Sequence, residues 1–358
     1  MSRSIYEASP SDGREILRIL ESSAAKGAIE LLYTRRPDAY ESYMKEAGEA
    51  RVFVSRDGER TVGTCAEIIR DVYIGGQVCK AAYICGLKKD AEYEGGVGLG
   101  AHFLRDLCRE DIDLYYCSVI ADNLEAQKMF EKTRRIISMT PVAGYKTYIL
   151  SPKVRVKAPK HAFGFRRATE ADLPALLHFL HTEGKKKDLF PAVQAIDEFY
   201  GLHIEDFCLL LDGERIAATA ALWNQTAYKQ YVVKKYRGVM RVARAANPLL
   251  SALGYVRLPR EDEPLDFPMV SFFLSQNDSE ECYRILLCEL LREAARDYGM
   301  LVIGLPRTHA AAPLLDSLLS ISFETRLYEI RLPWAESKDG KIPCALDPAR
   351  ICPECGLL

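Results

Sequence analysis

The tetrapeptide Asp-Gly-Glu-Arg occurs twice in the chain, at 57–60 and at 212–215, each time between two apolar runs of strand length. Asp-Gly in that setting is a strong short-range signal for a β-hairpin, because the glycine takes the positive φ that a tight turn needs. The flanks agree too. Residues 52–54 and 207–211 run into the turns, 62–69 and 216–222 return from them, and Thr64 and Thr219 each stand seven positions after the turn aspartate. Upstream, 6–12 and 166–172 each lead through a polar cap into apolar residues at helical spacing: Ile16, Leu17, Ile19 and Leu20 in one case, Leu173, Leu176, Leu177 and Leu180 in the other. Matching order at near-equal offsets predicts an internal duplication.

At 358 residues the chain is long for one core, and two domains are expected. Residues 151–161, rich in Lys and Pro with no apolar period, read as a linker. This gives a first domain at 1–150, a second at 162–335 and a tail at 336–358. The first continues with a strand 81–87, a glycine loop, a helix 99–109, a strand 114–120 and a helix 124–132; the second with a strand 269–274, a helix 279–298 and a strand 301–305. Strands and helices alternating after an antiparallel hairpin indicate a mixed α/β sheet. With 48 Lys and Arg against 50 Asp and Glu, the net charge of −2 carries no global signal for nucleic acid or an anionic membrane. Residues 1–13 lack the apolar core of a secretory signal, and no apolar run is long enough to span a bilayer. A cytoplasmic protein with neither a membrane nor a nucleic-acid partner is the expectation. Most of the eleven cysteines fall within apolar patterns and read as buried reduced thiols.

Chemistry concentrates at 93–104, Tyr-Glu-Gly-Gly-Val-Gly-Leu-Gly-Ala-His-Phe-Leu. Four glycines let the backbone curl, and exposed N–H groups ahead of a helix N-terminus form a seat for a diphosphate. The outer spacing is that of a P-loop, but Ala101 and His102 stand where Lys and Ser/Thr would hold phosphate and magnesium. Gly96 to Ala101 formally satisfies a dinucleotide-binding pattern. That unit turns directly from strand to helix, whereas here 88–93 intervene and Asp122 is too distant for the ribose acid. A glycine turn with no ligand is the remaining alternative.

The segment resembles the pyrophosphate loop of the GNAT acetyltransferase superfamily, (Gln/Arg)-x-x-Gly-x-(Gly/Ala): Gly98-Leu99-Gly100 fits its end and Ala101 starts its helix, while Gly95 stands where Gln or Arg is usual. Residues 123–132 resemble the family's Asn-x-x-Ala helix, with Asn123 and Ala126 matching and Phe130 replacing a tyrosine. The resemblance implies two tandem GNAT-like domains and an N-acetyltransferase that passes an acetyl group directly from acetyl-CoA to a small-molecule or peptide amine. It further implies that Gly95, Gly96, Val97, Gly98, Leu99, Gly100, Ala101, Asn123, Ala126 and Phe130 line the cofactor site. The strand carrying Leu87 and Lys89 would splay from its neighbour and offer backbone groups to the pantetheine. In many family members the tyrosine at the Phe130 position protonates the CoA sulfur, and phenylalanine has no proton to give. Tyr145 and Tyr116 are the substitutes considered, with Tyr145 preferred, and Glu67 is the candidate proton relay from the amine. A noncatalytic acyl-CoA-binding or interaction protein is the alternative from another class.

The second copy departs further. Where its glycine loop would stand are Ser275 to Glu281, with Asp278 and Glu281 reading as a helix N-cap pair whose charge opposes a diphosphate. It is therefore expected to bind no acyl-CoA. Lys229, Lys234, Lys235, Arg237, Arg241 and Arg244 read as a solvated basic face, or as contacts for an acidic partner or the CoA phosphate. Cys352-Pro-Glu-Cys355 resembles half a zinc knuckle, but structural zinc wants four ligands, so no metal is expected and the segment reads as a mobile tail.

Overall fold

The computed structural model describes residues 3–96, 109, 111–123, 126, 128, 137–331 and 345–358. In the first half come β1 (Arg3–Glu7), α1 (Gly13–Glu21), β2 (Ile29–Thr34), α2 (Ala39–Tyr43), β3 (Glu49–Asp57), β4 (Arg60–Ile74), β5 (Gln77–Lys89), β6 (Leu114–Ile120) and β7 (Ser138–Leu150). The second half contributes β8 (Gly164–Arg167), α3 (Leu173–Gly184), β9 (Phe207–Asp212), β10 (Arg215–Trp223), β11 (Gln230–Tyr236), α4 (Val239–Ala245), α5 (Asn247–Ala252), β12 (Met269–Ser275), α6 (Glu280–Asp297), β13 (Leu301–Pro306), α7 (Ala312–Asp316) and β14 (Ser320–Arg331).

Both Asp-Gly hairpins form. Gly58 and Gly213 turn them at φ +61° and +62° with open space around each, so left-handed backbone and not crowding requires glycine there. Inside each hairpin the equivalent threonine bonds across the strands, Thr64 Oγ1 to Phe53 O at 3.2 Å and Thr219 Oγ1 to Cys208 O at 3.1 Å. The helix entrances agree as well: Ser9 N–H donates to Asp12 Oδ2 at 2.9 Å and Thr169 N–H to Asp172 Oδ2 at 2.8 Å. Each aspartate thereby ties down the turn that starts its helix.

All but two strands form one twelve-stranded mixed sheet in the order β1-β3-β4-β5-β6-β14-β7-β13-β12-β10-β9-β8. The centre of that order is interleaved: β14 from the second half lies between β6 and β7, and β7 from the first half lies between β14 and β13. Each half thus supplies a strand that the other half's sheet needs. A second link is the two-stranded sheet of β2 and β11, running from Gln230↔Thr34 to Tyr236↔Ile29. Residues 151–163 contain neither helix nor strand.

The sheet alternation sets two faces in the first half. Val52, Val54, Ala66, Ile68, Tyr83 and Tyr116 join α1 and α2 in one apolar core, whereas Phe53, Cys65, Ile69, Ile84, Tyr115 and Cys117 form another on the opposite face. In the second half, α6 packs its Ile285, Leu286 and Leu290 against β9, β10 and β12, and α3 covers the reverse side with Leu176 and Leu180.

Three sequence expectations are corrected. The 351–358 segment is no mobile tail: Ile351, Cys352, Cys355 and Leu357 are buried, because the seam between the halves offers it apolar walls and buried hydrogen-bond partners. The α6 N-cap is Ser279, whose Oγ accepts from Cys282 N–H, and Asp278 instead accepts from Lys187 Nζ and Tyr283 Oη. Lys229 belongs to no solvated face; it is buried against Glu46 of the first half. The nine described cysteines are all free, and no metal-holding group of three His, Cys, Asp or Glu occurs among the described residues. No described helix is long and apolar enough to cross a membrane.

Candidate active site

β5 and β6 run parallel and pair only from Ala81↔Leu114 to Ile84↔Cys117. Beyond Ile84 they part. β5 continues along β4, but its register jumps between Ala66↔Cys85 and Thr64↔Lys88, leaving Gly86 and Leu87 in a bulge with no one-to-one partner. Gly86 sits at φ +60°, and a Cβ there would lie 2.1 Å from Tyr43 Oη. Backbone conformation and close approach both demand glycine. Leu87 and Lys89, the two sequence candidates for pantetheine contacts, are exposed at this parted edge.

The approach to the glycine loop is braced. Asp90 is buried and accepts from Arg18 Nη1 at 2.7 Å and Arg60 Nη2 at 2.9 Å. Lys88 Nζ donates to the carbonyls of Leu20 and Ser23, closing the C-terminal end of α1. Burial pushes the Lys88 ammonium down to about 8. Tyr93 Oη donates to Asp57 Oδ2 at 2.9 Å, tying the loop to the first hairpin turn, with half-buried Gly95 against its ring and Gly96 exposed. Asn123 Oδ1 accepts from Ala126 N–H at 3.0 Å, as an N-cap would. Val97, Gly98, Leu99, Gly100, Ala101 and Phe130 lie outside the described residues, as do most residues of the two helices expected at 99–109 and 124–132.

Beneath the bulge lies a buried charged cluster that sequence reasoning missed. Arg35 Nη2 bonds Glu46 Oε1 at 2.5 Å, Arg35 Nε donates to Tyr33 Oη at 2.7 Å, and the guanidinium carbon stands 3.8 Å from the Tyr43 ring centroid. Lys229 Nζ is 3.6 Å from Glu46 Oε1. Burial alone would raise the Glu46 carboxyl, but Lys229, Arg35 and Arg70 outweigh it and hold it at about 2. Tyr43 is fully buried and its hydroxyl has no hydrogen-bond partner. Burial drives its pKa up, opposed by Arg35. Arg70 Nη1 donates to Leu357 O at 3.0 Å, and its Nε and Nη2 are unpartnered. Lys229 and Glu46 meet from opposite halves of the chain, so no local spacing could have signalled the cluster.

The proposed catalytic pair falls on opposite faces of the sheet. Glu67 is buried, accepts from Arg51 Nη1 at 3.1 Å and has an unpartnered Oε1; burial lifts it to about 7 against the pull of Arg51. It pairs with Ile84, the last residue before β5 and β6 part. Tyr145 lies in β7 at the seam, its hydroxyl buried beside Cys355 and near Cys352 and Glu354. Tyr116 packs against Tyr83 with centroids 5.1 Å apart.

The second half repeats the geometry with a different outcome. β12 and β13 are parallel and pair only at Met269↔Val302 and Val270↔Ile303. Two residues on, Phe272 sits at φ +53°, as Gly86 sits at positive φ two residues beyond Ile84. The β10–β12 register shifts between Thr219 and Ala221, matching the shift at Thr64 and Ala66. Here residues 352–357 occupy the opening. Phe272 N–H donates to Glu354 Oε2 at 2.6 Å, Gly356 N–H to Glu354 Oε1 at 3.1 Å, and Gln225 Nε2 to Gly356 O at 2.7 Å.

No protein-family model and no curated protein sequence matches the chain. Its fold does match solved structures. A GCN5-related N-acetyltransferase from Anabaena variabilis superposes with a TM-score of 0.54 at 12% identity, over 92% of this chain and 73% of that one. Saccharomyces cerevisiae N-myristoyltransferase with bound myristoyl-CoA gives 0.58 at 9% identity, over 98% and 83%. An Enterococcus faecalis protein described as a probable N-acyltransferase gives 0.51 at 10%, over 92% and 72%. At such identities the likeness is one of architecture: the chain has the GNAT fold, a large mixed sheet shared by two halves.

Proposed function

We propose that the chain is an N-acyltransferase whose first domain, 1–150, binds acetyl-CoA and whose second, 162–335, is a degenerate copy that walls the site and binds none. The observation that carries this reading is the equivalence of Gly86 and Phe272. In the second half a carboxyl oxygen of Glu354 already rests on the Phe272 amide at 2.6 Å, so the amide at the bulge is a donor for an oxygen from outside the sheet. In the first half the same bulge is a glycine at a parted edge, suited to receive the carbonyl oxygen of a thioester. The pantetheine would lie along Leu87 and Lys89, and the diphosphate on residues 95–101 with Asn123 and Ala126 behind it.

The amine nitrogen attacks the thioester carbonyl carbon; a C–N bond forms and the C–S bond breaks. Charge on the carbonyl oxygen is stabilised by the bulge amide and by the field of Arg35, Arg70 and Lys229, three cations against the single carboxylate of Glu46. Glu67, near 7 and with a free oxygen at the level where the strands part, accepts the proton that the amine loses. The proton for the leaving sulfur comes from a buried phenol. Tyr43, whose unpartnered hydroxyl faces Gly86, is our choice, and Tyr145 is the alternative that the sequence suggested. Tyr43 and Arg35 also fill the space under the bulge, which favours a two-carbon acyl group over a long chain that would meet buried charge. Small-molecule or peptide amines are the acceptor class, and the free thiols of the nine described cysteines fit a reducing, cytoplasmic setting.

The test is release of free CoA from acetyl-CoA in the presence of a panel of amines, with longer acyl-CoAs as comparators. Amine-dependent release, fastest with acetyl-CoA, is expected. Binding without release from any amine would favour the noncatalytic acyl-CoA-binding reading, and preference for a long chain would overturn the choice of acetyl.

A further inference from the structure

Between Glu214 and Glu261 the chain holds nine Lys or Arg and no Asp or Glu, in a protein whose overall charges nearly cancel. This stretch includes α4 and α5, joined at Ala246, and they carry the most exposed large apolar side chains described: Val239 at 82%, Val242 at 68%, Leu249 at 75% and Leu253 at 76%. The inner side of the pair is anchored. Met240 and Ala243 pack on the main core, and Asn247 is pinned by Nδ2 to Val256 O at 2.8 Å and by Oδ1 to Leu258 N at 2.9 Å. The exposed residues are therefore the outer face of a fixed element.

Carboxylates from neighbouring elements reach some of the cations: Asp262 pairs with Lys234 and Glu30 with Arg237. Lys235, Arg241, Arg257 and Arg260 have no carboxylate partner among the described residues. Four aliphatic side chains each more than two-thirds exposed are projections and not the walls of a groove, so they suit a soft apolar phase better than a shaped protein partner. Glu261 and Glu263 lie beside this stretch, on the N–H groups of Tyr236 and Arg260, but the side chains of Lys235 and Arg241 pair with no described carboxylate, and these cations select the sign of that phase's surface.

We propose that the outer face of α4 and α5 docks on an anionic membrane surface, with Val239, Val242, Leu249 and Leu253 entering the headgroup–acyl boundary and Lys235 and Arg241 engaging lipid phosphates. The contact is peripheral and needs no spanning helix. It is independent of the acyl-transfer reading, since none of these residues belongs to the cleft described above.

Flotation of the full chain with vesicles tests it. Binding is expected to vesicles of phosphatidylserine in phosphatidylcholine, not to phosphatidylcholine alone, and to weaken with added salt. Leu249→Glu combined with Leu253→Glu should abolish it, and Lys235→Glu combined with Arg241→Glu should weaken it at least about ten-fold, with unchanged melting curves because all four positions are exposed. Failure to bind anionic vesicles, or binding that the substitutions leave intact, would overturn the proposal. So would a dimer, seen by light scattering, that the leucine substitutions dissolve, since the face would then be a self-contact.

Discussion

Past Ile84 in β5 the backbone has β4 on one side and, among the described residues, no strand on the other; past Val270 in β12 the corresponding backbone is covered by residues 352–357. Both openings arise the same way, from a parallel pair that ends early, a register shift on the antiparallel side, and a positive φ two residues beyond the last pair. They differ in what fills them. The first has a glycine and an unpartnered phenol. The second has a phenylalanine held in left-handed backbone by a carboxylate on its amide and by Phe199 and Phe207, at 5.1 and 5.5 Å, against its ring. One fold motif thus ends at a glycine edge in the first half and is closed by the chain itself in the second.

The largest effect is expected at the floor of the first opening. Glu46→Leu leaves Arg35, Lys229 and Arg70 without their carboxylate in the core, and should destabilise the chain by about 3–5 kcal/mol in denaturant unfolding. A loss within about 1 kcal/mol would mean that the cations are not packed as a cluster. Next comes the contrast between the two phenols. Tyr43→Phe should lower kcat about 100-fold while leaving the affinity for CoA, whereas Tyr145→Phe, at the closed opening, should leave kcat unaltered. The reverse pattern would assign proton donation to Tyr145.

The hairpins and the entrances to α1 and α3 were legible because each rests on neighbouring residues, Asp-Gly at the turns and Ser9 or Thr169 with an aspartate three positions on, whereas the parting of β5 from β6 was expected from the family resemblance alone. The interleaving of β7 and β14 was not, since strand exchange alters no local period. Nor was Tyr43, a residue of a five-residue helix whose significance comes from Gly86 in another element. Lys229 looked like one of a basic series, and only β11 pairing with β2 brings it to Glu46. The 351–358 segment misled for the opposite reason. Its Cys-x-x-Cys drew attention to metal chemistry, while the side chain that matters most there is Glu354 between the two cysteines.

That carboxylate gives a smaller, pH-dependent test of the closed opening. Burial raises Glu354 to about 7, against amide hydrogen bonds from Phe272 and Gly356 that pull it down. A carboxyl whose folded pKa exceeds its unfolded value favours folding while protonated, so its contribution is full below about 4.5 and is lost as pH rises through about 7. Glu354→Gln should flatten that part of the stability–pH curve. It should also cost about 1–3 kcal/mol at pH 5, because the NH2 group of glutamine faces one of the two N–H donors that a carboxyl oxygen accepts in the native chain. A slope that persists in the variant would place the titration elsewhere, with buried Glu67, also near 7, as the next group to replace.

The most direct test of the difference between the two openings is the stoichiometry of CoA binding by titration calorimetry, on the native chain and on Gly86→Val. The native chain should bind one CoA, and the variant none, because valine at φ +60° is strained and its Cβ would meet the Tyr43 hydroxyl. Two sites per chain, or one site that survives Gly86→Val, would contradict the account.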